Sequence, residues 1–371
     1  MIKKIINDIV TKDLKNIAIL THKYPDYDAI CSANALAEII YQGVVDYKNP
    51  QRKKNILDGN FEISSRVPDN WTLLFPIVEK ANIGEYMLSS VTLLTEGKDF
   101  SKLMQQISFD AVIVCDVNEQ DRIFGREILD NVSNENIYLF DHHMGNRKEL
   151  DILPENKLVE KASSTCEIIL KDALNERIDI SNRAMKDLYA GVVTDTCDFL
   201  FGVNDFTFTI KNDDIYGFKR QEKEKIENIF GKLYEEDEYN LQHLNKIDNI
   251  AQGLDIYFIN NPKTTKKRGT YINSALEKAI MPGDNSISVL FAIYDGYTEI
   301  KFRKGKNSSI MISDLAKAFN GGGNEDRSAA RVQGKSLDEL IEDLLNNIDH
   351  LSNQGGLSSE ESMVYQNKLN R

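Results

Sequence analysis

The sequence predicts an α/β fold class: a mostly parallel sheet with helices on both faces, followed by a smaller α/β domain. Three observations predict it. Short apolar runs closing on aspartate recur through the first half, segments of helical periodicity separate them, and a second block of strand-like runs follows a highly charged stretch. NIAIL (16–20) reads as the first strand, and AICSANALAEIIY (29–41), free of Gly and Pro, reads as the helix after it. DAVIVCD (110–116) and IYLFD (137–141) repeat the strand pattern, and STCEIILKDAL and NRAMKDLYAGVV repeat the helical one. In such a sheet, ligands bind beyond the carboxyl ends of the strands.

Residues 42–108 are less regular and read as an elaborated connection inside a first domain spanning 1–210. The stretch KRQEKEKIENIFGKLYEEDEYNLQHLNKIDN, opening at Lys219, places sparse apolar residues at helical intervals among many charges, so 211–250 reads as a helical linker. A second domain, 251–352, opens with GLDIYFIN. SISVLFAIYDG and YTEIKFRK then give two strands around a turn, and ISDLAKAF gives a helix running into Gly321, Gly322 and Gly323. Ser336 with Glu339 forms a capping box for a last helix whose apolar face includes Leu340, Leu344 and Ile348. Residues 353–371 read as a mobile tail.

With 371 residues, 41% of them hydrophobic, the chain can bury two cores. Its net charge of −13 argues against wrapping long double-stranded nucleic acid, because neutralisation of phosphates by Lys and Arg dominates such binding. A nucleotide partner is expected to be small and locally held. No apolar run approaches a membrane span, and the start lacks a cleavable leader pattern. Cys31, Cys115, Cys166 and Cys197 are widely spaced, with no CxxC pair, which fits a reducing cytoplasm.

The chemistry collects at the ends of the apolar runs. THKYPDYD supplies His22, Asp26 and Asp28; VIVCDVN supplies Asp116; FDHH supplies Asp141, His142 and His143; GVVTDTCDF supplies Asp195. Each segment alone has a plain reading, since an aspartate after a strand is commonly a helix N-cap. Four together direct carboxylate and imidazole to one sheet edge. Oxygen-rich sites with some imidazole suit Mn²⁺ or Mg²⁺ better than zinc or copper, and these donors suffice for two ions. Adjacent residues of an extended chain point apart, so His142 and His143 are expected to serve different partners.

THKYPDYDAICSA, VIVCDVN, FDHHMGN and GVVTDTCDF resemble the four ordered motifs of the DHH phosphoesterase family, and ASSTCEII (162–169) resembles its Ser-Ser-Thr helix. The second block resembles the glycine-motif domain of the branch that includes RecJ-like and NrnA-like enzymes. The resemblance implies that His22, Asp26 and Asp116 hold one Mn²⁺ and that Asp28, Asp116, His142 and Asp195 hold another, with Asp116 bridging. It further implies attack by a metal-bound hydroxide, a phosphate contact from His143, and orientation of a histidine by Asp141. In the second domain it implies substrate binding by Gly321, Gly322, Gly323, Asn324 and Arg303, a guanidinium fork suiting a terminal phosphate.

Two positions depart from the family pattern: Asn324 stands where histidine is usual, and Leu200 where arginine is common. Neither is an implied metal ligand. The expected substrates are short RNA, linear dinucleotides such as pApA, and adenosine 3′,5′-bisphosphate. The alternatives are a cyclic-dinucleotide phosphodiesterase and a nucleotide-binding regulator without turnover. A homodimer is left open, because every apolar face seen here can be core.

Overall fold

A computed structural model describes residues 1–48, 73–79, 92–94, 107–144, 149–231, 235–263, 274–323 and 325–354. They form two compact units, one ending at Gly231 and the other beginning at Glu235. Asn324, the tail from 355 onward and most of the 42–108 connection lie outside the described residues. No helix among the described residues is long and apolar enough to cross a membrane.

The first unit is built on six parallel strands: β1 (Asn16–Leu20), β2 (Leu73–Glu79), β3 (Thr92–Leu94), β4 (Ala111–Cys115), β5 (Ile137–Asp141) and β6 (Lys157–Val159). Their order in the sheet is β3-β2-β1-β4-β5-β6. Every residue of β4 and β5 is buried, as expected of strands covered on both faces. Alternation along the strands sorts their side chains into two cores. Ile17, Ile19, Ile113, Cys115, Tyr138 and Phe140 pack with α1 (Ile2–Thr11), α2 (Tyr27–Lys48), α3 (Thr165–Glu176) and α4 (Asn182–Asp195). Ala18, Leu20, Val112, Val114, Ile137 and Leu139 pack with Ile123, Phe124 and Ile128, carried on or beside short 3₁₀ turns.

The chain leaves β1 through α2 toward β2 and leaves β4 toward β5 on the other side, so the order in which strands are added reverses between β1 and β4, although all run parallel. The carboxyl ends of the strands open into a crevice at such a reversal. Further on, α5 (Asp205–Asn212) is started by a capping box in which Asn204 accepts from the amides of Phe206 and Thr207. α6 (Arg220–Gly231) then ends the unit, burying Ile226 and Phe230.

The second unit begins with α7 (Glu235–Gln242) and carries a second sheet, ordered β11-β12-β10-β9-β8-β7. Its strands are β7 (Asn245–Ala251), β8 (Leu254–Asn260), β9 (Ile287–Tyr294), β10 (Tyr297–Lys304), β11 (Gly322–Gly323) and β12 (Arg327–Val332). The end of the stretch read as a helical linker is therefore strand, and Ile247 packs against the core of this sheet. β9 and β10 form the expected hairpin, whose two-residue turn places Gly296 at φ +85. α9 (Ile312–Ala318) and α10 (Leu337–Gln354) cover one face; Leu340, Leu344 and Ile348 are buried there, and Ser336 with Glu339 caps α10 as its sequence indicates. On the other face Leu276 and Ile280, from α8 (Ser274–Ala279) and its end, pack on Ile259, Leu290 and Ala292.

Candidate metal centre

Beyond the ends of β1, β4 and β5 the structure brings together His22, Asp26, Asp28, Asp116, His142, His143 and Asp195. Asp116 is at the centre, almost fully buried and directly after β4. The Nε2 atom of His22 lies 3.4 Å from Asp116 Oδ2 and 3.8 Å from Asp26 Oδ1. That of His142 lies 3.4 Å from Asp116 Oδ1, 3.6 Å from Asp195 Oδ2 and 4.0 Å from Asp28 Oδ2. The two oxygens of one carboxylate thus face two separate donor sets. Around a cation with bonds of about 2.1 Å, octahedral donors lie about 3 to 4 Å apart, so both sets fit such an ion.

The backbone fixes which nitrogen is available. His22 Nδ1 donates to the carbonyl oxygen of Lys23 at 2.8 Å, and His142 Nδ1 to that of Ala162 at 3.3 Å. A carbonyl oxygen can only accept, so Nδ1 carries a proton in both rings, and Nε2, which faces the carboxylates, is the nitrogen that a cation could take once its proton leaves. His143 differs: its Nδ1 donates to Asp141 Oδ1 at 2.7 Å, and its backbone amide donates to the same oxygen. Asp141, fully buried at the end of β5, thus orients His143, and the Nε2 edge of this partly exposed ring remains for another partner.

Asp28, in the first turn of α2, accepts from the amides of Thr165 at 2.7 Å and Cys166 at 3.0 Å. These are the first amides of α3, which favour an anion. Thr165 also donates its hydroxyl to Asp116 Oδ1 at 2.9 Å. Ser164 caps α3, and Glu167 is held by Thr207 at 2.7 Å, by Asn204 at 2.6 Å and by Ser163. The roles of Thr165 and Cys166 were missed in the sequence. The signal was present as the spacing Ser164-x-x-Glu167, which marks a helix start and hence a set of free amides.

Asp195, grouped in the sequence with strand-end residues, sits instead at the end of helix α4. The Ser181 cap and helical periodicity carry that segment through to Asp195, and the chain then turns through three residues of positive φ, Cys197, Asp198 and Phe199. The amide of Asp198 bonds the Val193 carbonyl and that of Leu200 the Thr196 carbonyl, which stops the helix at the donor cluster. Asp116 also has a left-handed backbone, at φ +62, a conformation that non-glycine residues adopt at a cost and that concentrates at functional sites.

The charges follow the geometry. Burial pulls the His22 imidazole down, but Asp116 and Asp26 outweigh it and raise its pKa to about 11. His142 is held well above its ordinary value, its burial being overcome by Asp116, Asp195 and Asp28. Burial opposes the Asp116 charge, yet His142 and His22 hold this carboxyl well below the usual range. Asp28 is pushed well up by burial and by Asp116 and Asp195. Without a cation the cluster is held together by protons on its imidazoles.

In the second unit, Gly322 and Gly323 form the short strand β11 and are exposed, with Gly321 just before them. A Cβ on Gly321 would meet Ala329 O at 2.1 Å, and one on Gly323 would meet Arg327 O at 2.4 Å; Gly322 faces open space. Two of the three glycines are thus required by the fold. Arg303 is buried, and its guanidinium forks onto Glu277, with Nε at 2.5 Å and Nη2 at 2.6 Å. The fork anticipated for a phosphate faces a carboxylate, because Arg303 shares its sheet face with α8.

Residues 16–194 match the family model described as DHH family, N-terminal domain. The chain is similar to the bifunctional oligoribonuclease and PAP phosphatase NrnA of Mycoplasma genitalium, 25% identical over 241 residues that cover 64% of this chain and 73% of that one. The protein of the same name from Bacillus subtilis is 27% identical over 244 residues, covering 63% and 74%. Among solved structures, an exopolyphosphatase-related protein from Bacteroides fragilis shares the fold, with a TM-score of 0.62, 16% identity and coverage of 94% and 96%.

Proposed function

Because the chain belongs to the DHH family of phosphoesterases through its domain at 16–194, we propose that it hydrolyses phosphoester bonds in short nucleotide substrates with two divalent cations, Mn²⁺ in preference to Mg²⁺. The observation that carries this reading is Asp116, whose two carboxylate oxygens face the His22 and His142 sets separately. The donors are carboxylate oxygens and imidazole nitrogens, which fit Mn²⁺ or Mg²⁺. His22, Asp26 and Asp116 would hold one ion, and Asp28, Asp116, His142 and Asp195 the other. When bound, the ions would neutralise the phosphoryl oxygens and lower the pKa of a bound water.

The chain's own residues do the rest. His143, fixed by Asp141, points its free ring edge to the phosphate and can donate a proton to the leaving oxygen. Thr165 and the α3 amides hold Asp116 and Asp28 in place while charge at the site changes. Gly322 offers a backbone amide approach to substrate in the second unit. The two NrnA relatives, named for oligoribonuclease and PAP phosphatase activities, favour short RNA and adenosine 3′,5′-bisphosphate as substrates, with pApA a minimal dinucleotide to test.

The deciding experiment incubates the protein and Mn²⁺ with pApA, short RNA, adenosine 3′,5′-bisphosphate, cyclic di-AMP and pyrophosphate. Mononucleotide release from pApA or RNA, or AMP from the bisphosphate, is the expected result. Turnover that persists in excess chelator would overturn the two-cation reading, and metal binding with no turnover would overturn the enzyme reading.

Cation binding should also release protons. His22 and His142 carry protons in the metal-free chain at neutral pH, one in each donor set, and a ligating imidazole must be neutral, so about one proton leaves per filled site and apparent affinity rises with pH. The fold itself has the opposite dependence. A raised His22 stabilises the metal-free chain fully below about 6.5, and that contribution is lost as pH climbs toward about 11. Calorimetric titration with Mn²⁺ in buffers of different ionisation enthalpy measures the release; a value near zero contradicts the assignment.

A further inference from the structure

We propose that Glu167 is a positioning residue for one of the two cations only: it sets the His142 donor set and leaves the His22 set to other supports. The claim rests on the two-cation reading above. Glu167 is 2% exposed, and a carboxylate taken out of water is tolerated only where its oxygens are bonded. Its Oε2 accepts from the hydroxyls of Ser163 and Thr207, the latter at 2.7 Å, and its Oε1 accepts from the Asn204 side-chain amide at 2.6 Å. A glutamate at this place in a helix start ordinarily reaches back to the amide of the cap residue. Glu167 turns instead to the chain before α3 and to the start of α5.

Each of those bonds leads to a donor of the same set. Ser163 follows Ala162, whose carbonyl accepts from His142 Nδ1 and so orients that ring. Glu167 itself lies in the first turn of α3, whose Thr165 and Cys166 amides hold Asp28. The Thr165 hydroxyl bonds Asp116 Oδ1, which is the oxygen facing His142. Asn204 closes the loop 196–204 that follows directly on Asp195, and a Cβ on Gly202 in that loop would lie 3.9 Å from the Ser163 Cα. The loop contains the three successive residues of positive φ, and such backbone persists only where its surroundings over-determine it. Asn204 and Thr207 are fixed by their reciprocal bonds at the start of α5, so Glu167 ties the loop to a rigid point.

The His22 set is supported elsewhere. His22 Nδ1 donates to the Lys23 carbonyl, and Asp26 Oδ1 accepts from the Ala29 amide at 3.1 Å. Neither bond involves Glu167 or the three side chains that it holds. One buried carboxylate that touches no donor side chain thus governs the spacing of His142, Asp28 and Asp195.

Calorimetric titration of the full chain with Mn²⁺ tests this. Asp195→Asn identifies the binding event that belongs to the His142 set, and Asp26→Asn identifies the other. Glu167→Ala is expected to weaken the first event by about 10- to 100-fold and to leave the second unchanged. Glu167→Gln should recover most of the loss, since its amide oxygen can accept from Asn204 while the Ser163 and Thr207 hydroxyls turn to accept from its NH₂ group. Ser163→Ala removes one of the three bonds and should weaken the same event by less; it takes the place of Glu167→Ala if circular dichroism shows that variant unfolded. Equal weakening of both events, or of neither, overturns the assignment. Two cations bound without turnover of any nucleotide would remove the hydrolytic reading and leave this claim intact. A single cation bound by the wild type would remove the two-cation reading; the positioning role then stands if Asp195→Asn and Glu167→Ala both weaken that cation while Asp26→Asn does not, and falls otherwise.

Discussion

Asp116→Ala lowers turnover of every accepted substrate by about a thousandfold or more, with the loss in kcat, because the residue serves both donor sets. The magnitude follows from what the carboxylate does. Each of its oxygens faces one imidazole, and Thr165 donates to Oδ1, so no neighbouring group can replace both contacts. Alanine introduces a second effect at this position, since a left-handed backbone costs alanine roughly 1–2 kcal/mol, whereas asparagine tolerates it. Asp116→Asn is therefore the cleaner variant: it keeps shape and backbone while removing the charge. Steady-state kinetics of both, with thermal unfolding alongside, test the assignment. Turnover within tenfold of wild type in Asp116→Asn would contradict the central role given to this carboxylate.

Gly191→Ala is expected to destabilise the first unit by about 1–3 kcal/mol and to weaken cation binding with it. Helix propensity alone points the other way, since alanine in a helix interior is favoured over glycine by about 1 kcal/mol. Packing decides the sign. A Cβ at residue 191 would lie 2.3 Å from Cys166 Sγ and 3.0 Å from Asp28 Oδ1, where α3 and α4 meet the carboxylate. The cysteine is fully buried and cannot swing aside without disturbing the amides that hold Asp28. Truncating the obstructing group should restore space, so the pair Gly191→Ala with Cys166→Ala should be more stable than the sum of the single changes. A denaturant-unfolding cycle over the four proteins measures this coupling; simple additivity would show that the contact is not the cause.

Much of the first unit could be read from sequence because its central strands are short, wholly buried and bounded by polar residues. NIAIL, AVIVC and IYLFD announce themselves by composition, and the acids after them mark the functional edge. β2 is harder to see: Pro76 within LLFPIVE argues against a strand, yet the segment pairs with β1 in register Ile19 to Pro76. NKIDNIA likewise hides β7 behind polar residues, as a sheet edge allows. At the site, the donor residues were legible one by one. What holds them was not, because the Lys23 and Ala162 carbonyls, the α3 amides and the space at Gly191 are properties of backbone packing. Arg303 shows the same limit in reverse: its charge was visible in sequence, and its partner Glu277 lies on a separate helix.

The strand order also sets a timetable for biosynthesis. Central β1 emerges first among the strands but finds its neighbours only later, when Leu74 and then Ala111 arrive beside Ile17. Asp195, on the last of the four donor segments, follows later still, on the helix that closes over Asp28. A nascent chain on the ribosome therefore holds His22, Asp26 and Asp28 for most of the synthesis of this unit without a finished pocket. On the two-cation reading, a chain stalled before residue 195 lacks one of the proposed donors, so complete loading is expected to follow folding of this unit.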